Sequence, residues 1–348
     1  IELLRIVACI GVIGIHAASQ HFRDIPLDSS AWRVSNFYHG INRFAVSVFI
    51  MISGTLYLDS KRKWSLKKLW TKNIFQLVVL YLFWQIFYAV YRVGMSGKPA
   101  IGSAAFFKKI LTSCSSSYFH LWYLPMLVGI LTVTPLLWEI VNCENGKKWE
   151  EYLILLFLFI RIVPYTINCF AFPQKEYVMK VINTLRPGLI INYAGYFVLG
   201  HYLSHYKVSR KLEYLIYVLG VGLIGAAILI GQYMSPKAGE AIQDYYGNFS
   251  MAVFFWGSAI FLFFKNHVSK IKWNEKQEKR ICYLGSCTFG IYLIHALIRD
   301  ILHRIGIDSM MISNTAIAIP LLITMIFVLS LAAVMIIKKI PRVSKWII

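Results

Sequence analysis

The chain has 348 residues, 58% hydrophobic and only 15% charged, with a mean hydropathy of +0.59. A soluble globular chain is nearer half apolar and a quarter charged, so these figures exclude an ordinary water-soluble domain and point to a membrane protein. The formal charge of +20 does not indicate a nucleic-acid partner, because the basic residues cluster in short loops between apolar runs.

Ten helical spans are predicted in chain order, near 2–20, 41–58, 73–93, 120–141, 151–166, 187–205, 212–233, 248–265, 283–302 and 315–337. The last carries no charge and is long enough for a hydrocarbon core of about 30 Å. The expected fold class is therefore all-α, a polytopic membrane protein forming one transmembrane domain over 1–348. Neither an internal repeat nor a soluble-domain linker interrupts it. The first span runs on into the array without a clear small-residue cleavage site, so no removable signal peptide is expected.

Alternate loops divide by charge. "SKRKWSLKKLWTK" (60–72), "NGKKWE" (145–150), "HYKVSRK" (205–211), "KNHVSKIKWNEKQEKR" (265–280) and "KKIPRVSKW" (338–346) are rich in Lys and Arg. The segments 21–40, 94–119, 167–186, 234–247 and 303–314 are much poorer. The positive-inside rule then puts both termini in the cytoplasm. Under that topology Cys9, Cys143, Cys282 and Cys287 fall on the reducing side. Cys114 and Cys169 fall in outer loops, where they either bridge or stay unpaired.

The first span, "ELLRIVACIGVIGIH", keeps Arg5 near one end and His16 near the other. Eleven residues are about three helical turns, so both project from nearly one face, roughly 16.5 Å apart along the axis. Cys9 and Val12 fill the stripe between them, and Gly11 and Gly14 let a neighbouring helix approach. Ionisable groups at depth are costly and face a cavity or a partner. Taken singly, Arg5 reads as a snorkelling interfacial anchor and His16 as an interhelical hydrogen-bonding residue. Taken together, they line a path from the cytoplasm past the midplane.

Arg-x10-His in the first span resembles the signature of the acyltransferase-3 family, integral-membrane enzymes that acylate cell-surface glycans and related hydroxyl compounds. "RFAVSVFIMISG" (43–54), "FHLWYLPML" (119–127), "YAGYFVLGHYLS" (193–204) and "SCTFGIYLIHALI" (286–298) resemble its later motifs, in order along the chain. Within the family the pattern is nearest to O-acetyltransferases of the enterobacterial common antigen and to the membrane half of certain serine racemases. One departure stands out. Where many members carry Arg-x-x-Arg entering the third span, this chain has Asn73 and Gln76, with Lys68 and Lys72 about a turn earlier as substitutes.

The resemblance implies a multi-pass protein of the bacterial cell membrane. It would take an acyl group, commonly acetyl, from cytoplasmic acyl-CoA (acetyl-CoA as donor, no metal) and deliver it to a hydroxyl of a surface glycan or similar acceptor. Matching the motif residue by residue, His16 is the expected catalytic residue, as general base or as transient acyl carrier. Arg5 would hold a phosphate or carbonyl of acyl-CoA, helped by Lys68 and Lys72. Positive-inside topology explains those lysines equally well.

For the other motif residues two readings stand side by side. Arg43 orients an acceptor hydroxyl or touches lipid phosphate. His120, Trp122 and Tyr123 form an interfacial aromatic belt or contact the acceptor. Ser53 and Gly54 serve close helix packing, or Ser53 faces the cavity. Tyr292 and His295 are a polar pair between helices or line the cofactor channel. Arg299 and Asp300 read as a local ion pair. His201 and His205 have the i, i+4 spacing of metal ligands, but no Glu follows the first, and interfacial packing is the better reading. The rival to the enzyme is a secondary transporter or flippase. Neither an inverted repeat nor matched Gly/Pro-broken helices support it.

Overall fold

The computed structural model describes the chain except for residues 63, 185, 187, 189, 190, 341–346 and 348. The described residues form helices and connecting loops, without a strand. The helices are α1 (Glu2–Ala18), α2 (Ser30–Ile41), α3 (Phe44–Tyr57), α4 (Leu66–Met95) and α5 (Ala104–Ser113). Then come α6 (Tyr123–Asn142), α7 (146–168), α8 (Lys175–Thr184), α9 (Ala194–His205) and α10 (Arg210–Ala238). The chain continues through α11 (Met251–Asn266), α12 (Glu275–Arg304) and α13 (Thr315–Lys338). Among the described residues, seven stretches are long and apolar enough to cross a membrane; α2 with α3 counts as one of them, the others being α4, α6, α10, the stretch containing α11, α12 and α13.

Local chemistry sets several of the boundaries. Asn274 and Gln277 form a reciprocal capping box at the start of α12, with Gln277 N–H donating to Asn274 Oδ1 at 2.9 Å. Ser29, Ser103, Ser209 and Ser250 accept from the first turns of α2, α5, α10 and α11. Gly239, at φ 73°, closes α10 in the left-handed conformation that glycine adopts without a Cβ clash. Val218, Val221 and Leu229 project outward from α10, as expected of a face that meets lipid.

The predicted spans meet the helices with some corrections. Within the span placed at 187–205, α9 begins at Ala194 and runs twelve residues, about 18 Å, too short to cross alone. The part of that span over 187, 189 and 190 lies outside the described residues. The segment 21–40, read as a loop, is half helix. Its α2 buries Trp32, Ser35, Asn36, His39 and Gly40, a largely polar stripe that hydropathy does not register. Asn36 Nδ2 donates to Ile228 O on α10 at 3.1 Å, which satisfies part of that stripe. The loops 94–119 and 167–186 likewise contain α5 and α8.

Helix α3 sits at the centre, packed on α1, α9 and α11. The α3–α9 contact depends on glycine. A Cβ on Gly54 would lie 1.8 Å from the Phe197 carbonyl oxygen, and one on Gly200 would lie 2.1 Å from that of Met51. The packing role expected for Gly54 is thus met at backbone-to-backbone distance. Gly14 of α1 faces the Asn42 side chain at a separation that leaves a Cβ no room.

Helices α1 and α12 run parallel, side by side. Glu2 lies against Gly285, Cys9 Sγ reaches Thr288 O at 3.7 Å, His16 stacks on His295, and His21 meets His303. Helix α13 returns antiparallel, so that Lys338 Nζ donates to Ser286 O at 3.0 Å. All six cysteines are free, and the Cys114–Cys169 bridge does not form. The reason is placement: Cys114 caps α5, where its carbonyl accepts from Gln85 of α4. Cys169 caps α7 and turns its thiol toward Tyr165 O and Asp244 O.

Candidate active site

The α1–α12 pair forms one wall of a cavity of about 420 Å³; α3, α4 and the start of α6 supply the rest. Arg5 and His16 both face it, as the helical period requires, with Val12 between them. Arg5 Nη1 pairs with Glu2 Oε2 at 3.0 Å, and both side chains remain about a quarter to a third exposed (25% and 30%). The positive charge at this end is therefore held by a carboxylate one turn away but stays in contact with solvent.

The His16 end is a different environment. Its imidazole lies 4.6 Å from the Phe119 ring and 5.4 Å from the His295 ring, centroid to centroid. His295 in turn meets His120 at 5.0 Å. His120 is 2% exposed and lines the cavity. His295 is fully buried, and its Nδ1 is 2.6 Å from the Tyr292 carbonyl. A carbonyl only accepts, so Nδ1 carries the proton, and in the neutral ring Nε2 carries the lone pair. Tyr292 lines the cavity, and its hydroxyl donates to His120 O at 2.6 Å, tying α12 to the segment before α6.

Behind this cluster, Arg299 Nη2 donates to Asp300 Oδ1 at 2.7 Å, the local ion pair read from the sequence. The pair does more than neutralise itself. Arg299 lies 4.4 Å from the Phe119 ring centroid, and Tyr118 donates to Asp300. Burial, and then the bond to Asp300, hold the Tyr118 phenol above its ordinary range. The Phe119 ring beside His16 is thus also in contact with a guanidinium.

Other expected residues distribute unevenly. Ser53, His120, Trp122, Tyr123 and Tyr292 all line the cavity with Arg5 and His16. This corrects the aromatic-belt reading of His120, Trp122 and Tyr123, which face an interior space. Ser53 combines both of its readings, since its hydroxyl donates to Phe49 O at 3.0 Å while the residue faces the cavity. His295 sits behind His16 and not on the wall.

Lys68 and Lys72 are exposed and off the wall, whereas Asn73 and Gln76 are on it. Asn73 lies in a π-helical stretch of α4, Leu69–Ile74, a local widening frequent at functional sites.

Arg43 is also elsewhere. It stands at the start of α3, with Nη2 3.5 Å from Gln243 Oε1 and its guanidinium 5.8 Å from the Tyr246 ring centroid. Arg161 of α7, unremarked in the sequence, places its guanidinium 4.1 Å from the Phe249 ring centroid, against which Tyr193 also packs at 4.7 Å. Tyr193 lies 5.5 Å from Trp122 on the cavity wall, centroid to centroid. His201, one of the two histidines at metal-like spacing, places Nδ1 2.9 Å from Glu150 Oε2 and so joins α9 to α7.

Neither a curated protein nor a solved structure gives a significant match to this chain. A family model described as an acyltransferase domain matches residues 1–338, nearly the whole length and every element around the cavity. With its Arg-x10-His face lining a cavity inside an apolar helix array, the chain belongs to the acyltransferase-3 family.

Proposed function

We propose that the protein is an acyl-CoA-dependent O-acyltransferase of the bacterial cell membrane, moving a short acyl group, acetyl in the first instance, to a hydroxyl of a surface glycan or related acceptor. The observation that carries this reading is the continuity of one cavity from Arg5 to His16 along a single helix face. A cation suits the phosphates or carbonyl of a thioester cofactor at one end. An imidazole among aromatic rings suits proton transfer at the other.

In this scheme the acceptor O–H attacks the thioester carbonyl carbon while His16 takes the hydroxyl proton. The tetrahedral oxyanion collapses with cleavage of the C–S bond, and the CoA thiolate leaves and is protonated. His16 needs an imidazole in the neutral form, and the surrounding histidines and Phe119 offer no carboxylate that would hold it charged. Tyr123 is a hydroxyl donor on the wall for the oxyanion, whereas the Tyr292 hydroxyl is already committed to His120 O. If His16 instead carries the acyl group, the same residues serve two successive transfers.

Purified protein in detergent, given acetyl-CoA and a panel of hydroxyl acceptors, should release free thiol in an acceptor-dependent manner. Absence of thioester cleavage with every acceptor, by protein that is demonstrably folded, would return the fold to the transporter reading. Quenching during turnover separates the two routes: covalent acyl label on the protein is expected only of the acyl-histidine route.

A further inference from the structure

At the end of the bundle opposite the Lys/Arg-rich loops, three segments far apart in sequence converge beyond the His16 end of the cavity. His21 follows α1, His303 lies in the last turn of α12, and Asp308 lies in the connection to α13. His21 Nε2 is 3.2 Å and His303 Nδ1 is 3.1 Å from the same carboxylate oxygen, Asp308 Oδ2. The three atoms lie within 4.8 Å of one another. The rings of His21 and His303 are near-perpendicular, with centroids 5.5 Å apart and 64° between planes.

We propose that His21, His303 and Asp308 form a binding site for a divalent transition-metal ion, zinc in the first instance, that clamps the outer ends of α1 and α12 together. The inference stands apart from the acyltransferase chemistry, because none of the three residues is assigned a part in it. Four observations support the site.

First, the donor set is two imidazoles and one carboxylate, with space for a fourth ligand from solvent, since His303 is about half exposed (49%). That is the composition of an open zinc site, whereas Ca2+ and Mg2+ prefer all-oxygen shells.

Second, the spacing is nearly right. Tetrahedral zinc with bonds of about 2.0–2.2 Å sets its donors about 3.3–3.6 Å apart. The two N···O separations are within a few tenths of an ångström of that, and the two imidazole nitrogens, within 4.8 Å of each other, would complete the geometry by a turn of the half-exposed His303 side chain.

Third, His21 Nε2 is shut off from solvent and faces the Asp308 carboxylate at 3.2 Å. With the proton on Nδ1, Nε2 meets that carboxylate as a lone pair, an arrangement that a cation between the two would relieve.

Fourth, the other nitrogen of the same ring, Nδ1, lies 3.3 Å from Asp24 Oδ2. A carboxylate on the far nitrogen fixes the tautomer that leaves Nε2 free to ligate, the usual outer support of a metal-bound histidine. Asp308 is oriented in the same way, its Oδ1 accepting the Met310 N–H at 2.8 Å.

The consequence is a cross-link between the two helices that carry His16 on one side and Tyr292 and His295 on the other. His16 is five residues from His21, and His295 is eight from His303. An ion here would hold the outer end of the cavity at fixed width.

The test uses full-length, tag-free protein in detergent, stripped with a chelator and then freed of it. Zn2+ should bind at one equivalent per chain and raise the melting temperature, while Mg2+ and Ca2+ leave it unchanged. Co2+ should give ligand-field absorption of a four- or five-coordinate nitrogen–oxygen site.

His303→Ala, at a half-exposed position where folding is not at stake, and Asp308→Asn should each abolish the zinc-dependent rise and the Co2+ spectrum. Asp24→Asn should weaken binding by about 10-fold or more while retaining the spectrum. Failure of Zn2+ to bind at one equivalent, or binding unchanged in both His303→Ala and Asp308→Asn, would overturn the site and leave a hydrogen-bonded cluster.

Discussion

The His16–His120–His295 group and the His201–His205 pair both bring imidazoles together, with ring centroids 5.4, 5.0 and 4.1 Å apart for His16–His295, His120–His295 and His201–His205. They differ in what satisfies them. His201 has a carboxylate, Glu150, which is itself fully buried, and next to it Tyr202 donates to Glu151 at 2.9 Å. That is a polar knot between α9 and α7. In the first group the polar partners of the imidazoles are backbone carbonyls, and His16 and His120 line the cavity. A pair tied by a carboxylate between two helices, off the cavity wall, serves packing, even with Glu150 Oε1 and His201 Nε2 left over. A buried polar cluster left open toward a cavity is poised for something that enters it.

The contrast is sharpest at His16. His16→Ala should lower acyl transfer by about 10²–10⁴-fold, the range that a positioned acid–base group contributes. Its effect on stability should be small, since the ring borders a cavity and its loss leaves no buried charge behind. Thiol release in a turnover assay, read beside a melting curve, checks both parts. Wild-type turnover in this variant would remove His16 from the chemistry.

His201→Ala should show the reverse. It leaves the Glu150 carboxylate buried without its imidazole, and breaking a buried pair from one side costs about 3–5 kcal/mol. A lowered melting temperature with unchanged turnover per folded molecule is expected. Lost turnover at undiminished stability would mean that the His201–Glu150 pair, too, takes part in catalysis.

What the sequence made legible follows the range of the interactions involved. Arg5 and His16 share a face because helical period is local, and the family motif supplied the rest. His120 and Tyr123 were harder, because an aromatic belt and an aromatic cavity wall have the same composition; only their meeting with the Tyr292 ring of α12 separates them. Tyr292 and His295 are three positions apart, which leaves about 60° between them around the helix axis. That angle suffices to put one on the wall and the other behind His16. The helix α2 was hidden because its buried stripe is polar, and the His21–His303–Asp308 cluster because its members meet only in the folded chain.

The other end of the cavity tests whether charge or shape matters to the donor. Arg5→Ala should raise the KM for acyl-CoA about 10-fold, the worth of a hydrogen bond to a charged group, with a smaller change in kcat. Arg5→Lys should recover part of this, because an ammonium supplies charge but not the planar fork. Full recovery by lysine would show that the fork is immaterial. An unchanged KM in Arg5→Ala would reduce Arg5 to the interfacial partner of Glu2.

The smallest effect is expected from the two lysines that the sequence offered as donor-binding residues. Lys68 and Lys72 are exposed on α4, while Asn73 and Gln76 of the same helix face the cavity. Charges off the wall act on a polyanionic cofactor only through solvent, where screening at 0.15 M salt confines their reach to about 8 Å. The Lys68→Ala/Lys72→Ala double variant should therefore slow capture of acyl-CoA by no more than about 2- to 3-fold at low ionic strength, and the difference should vanish at physiological salt. Measuring kcat/KM for the donor across a salt series distinguishes this from direct contact. A loss that persists at high salt would place one of the lysines against the bound cofactor, by a rearrangement of the π-helical stretch at Leu69–Ile74 that turns α4 toward the cavity.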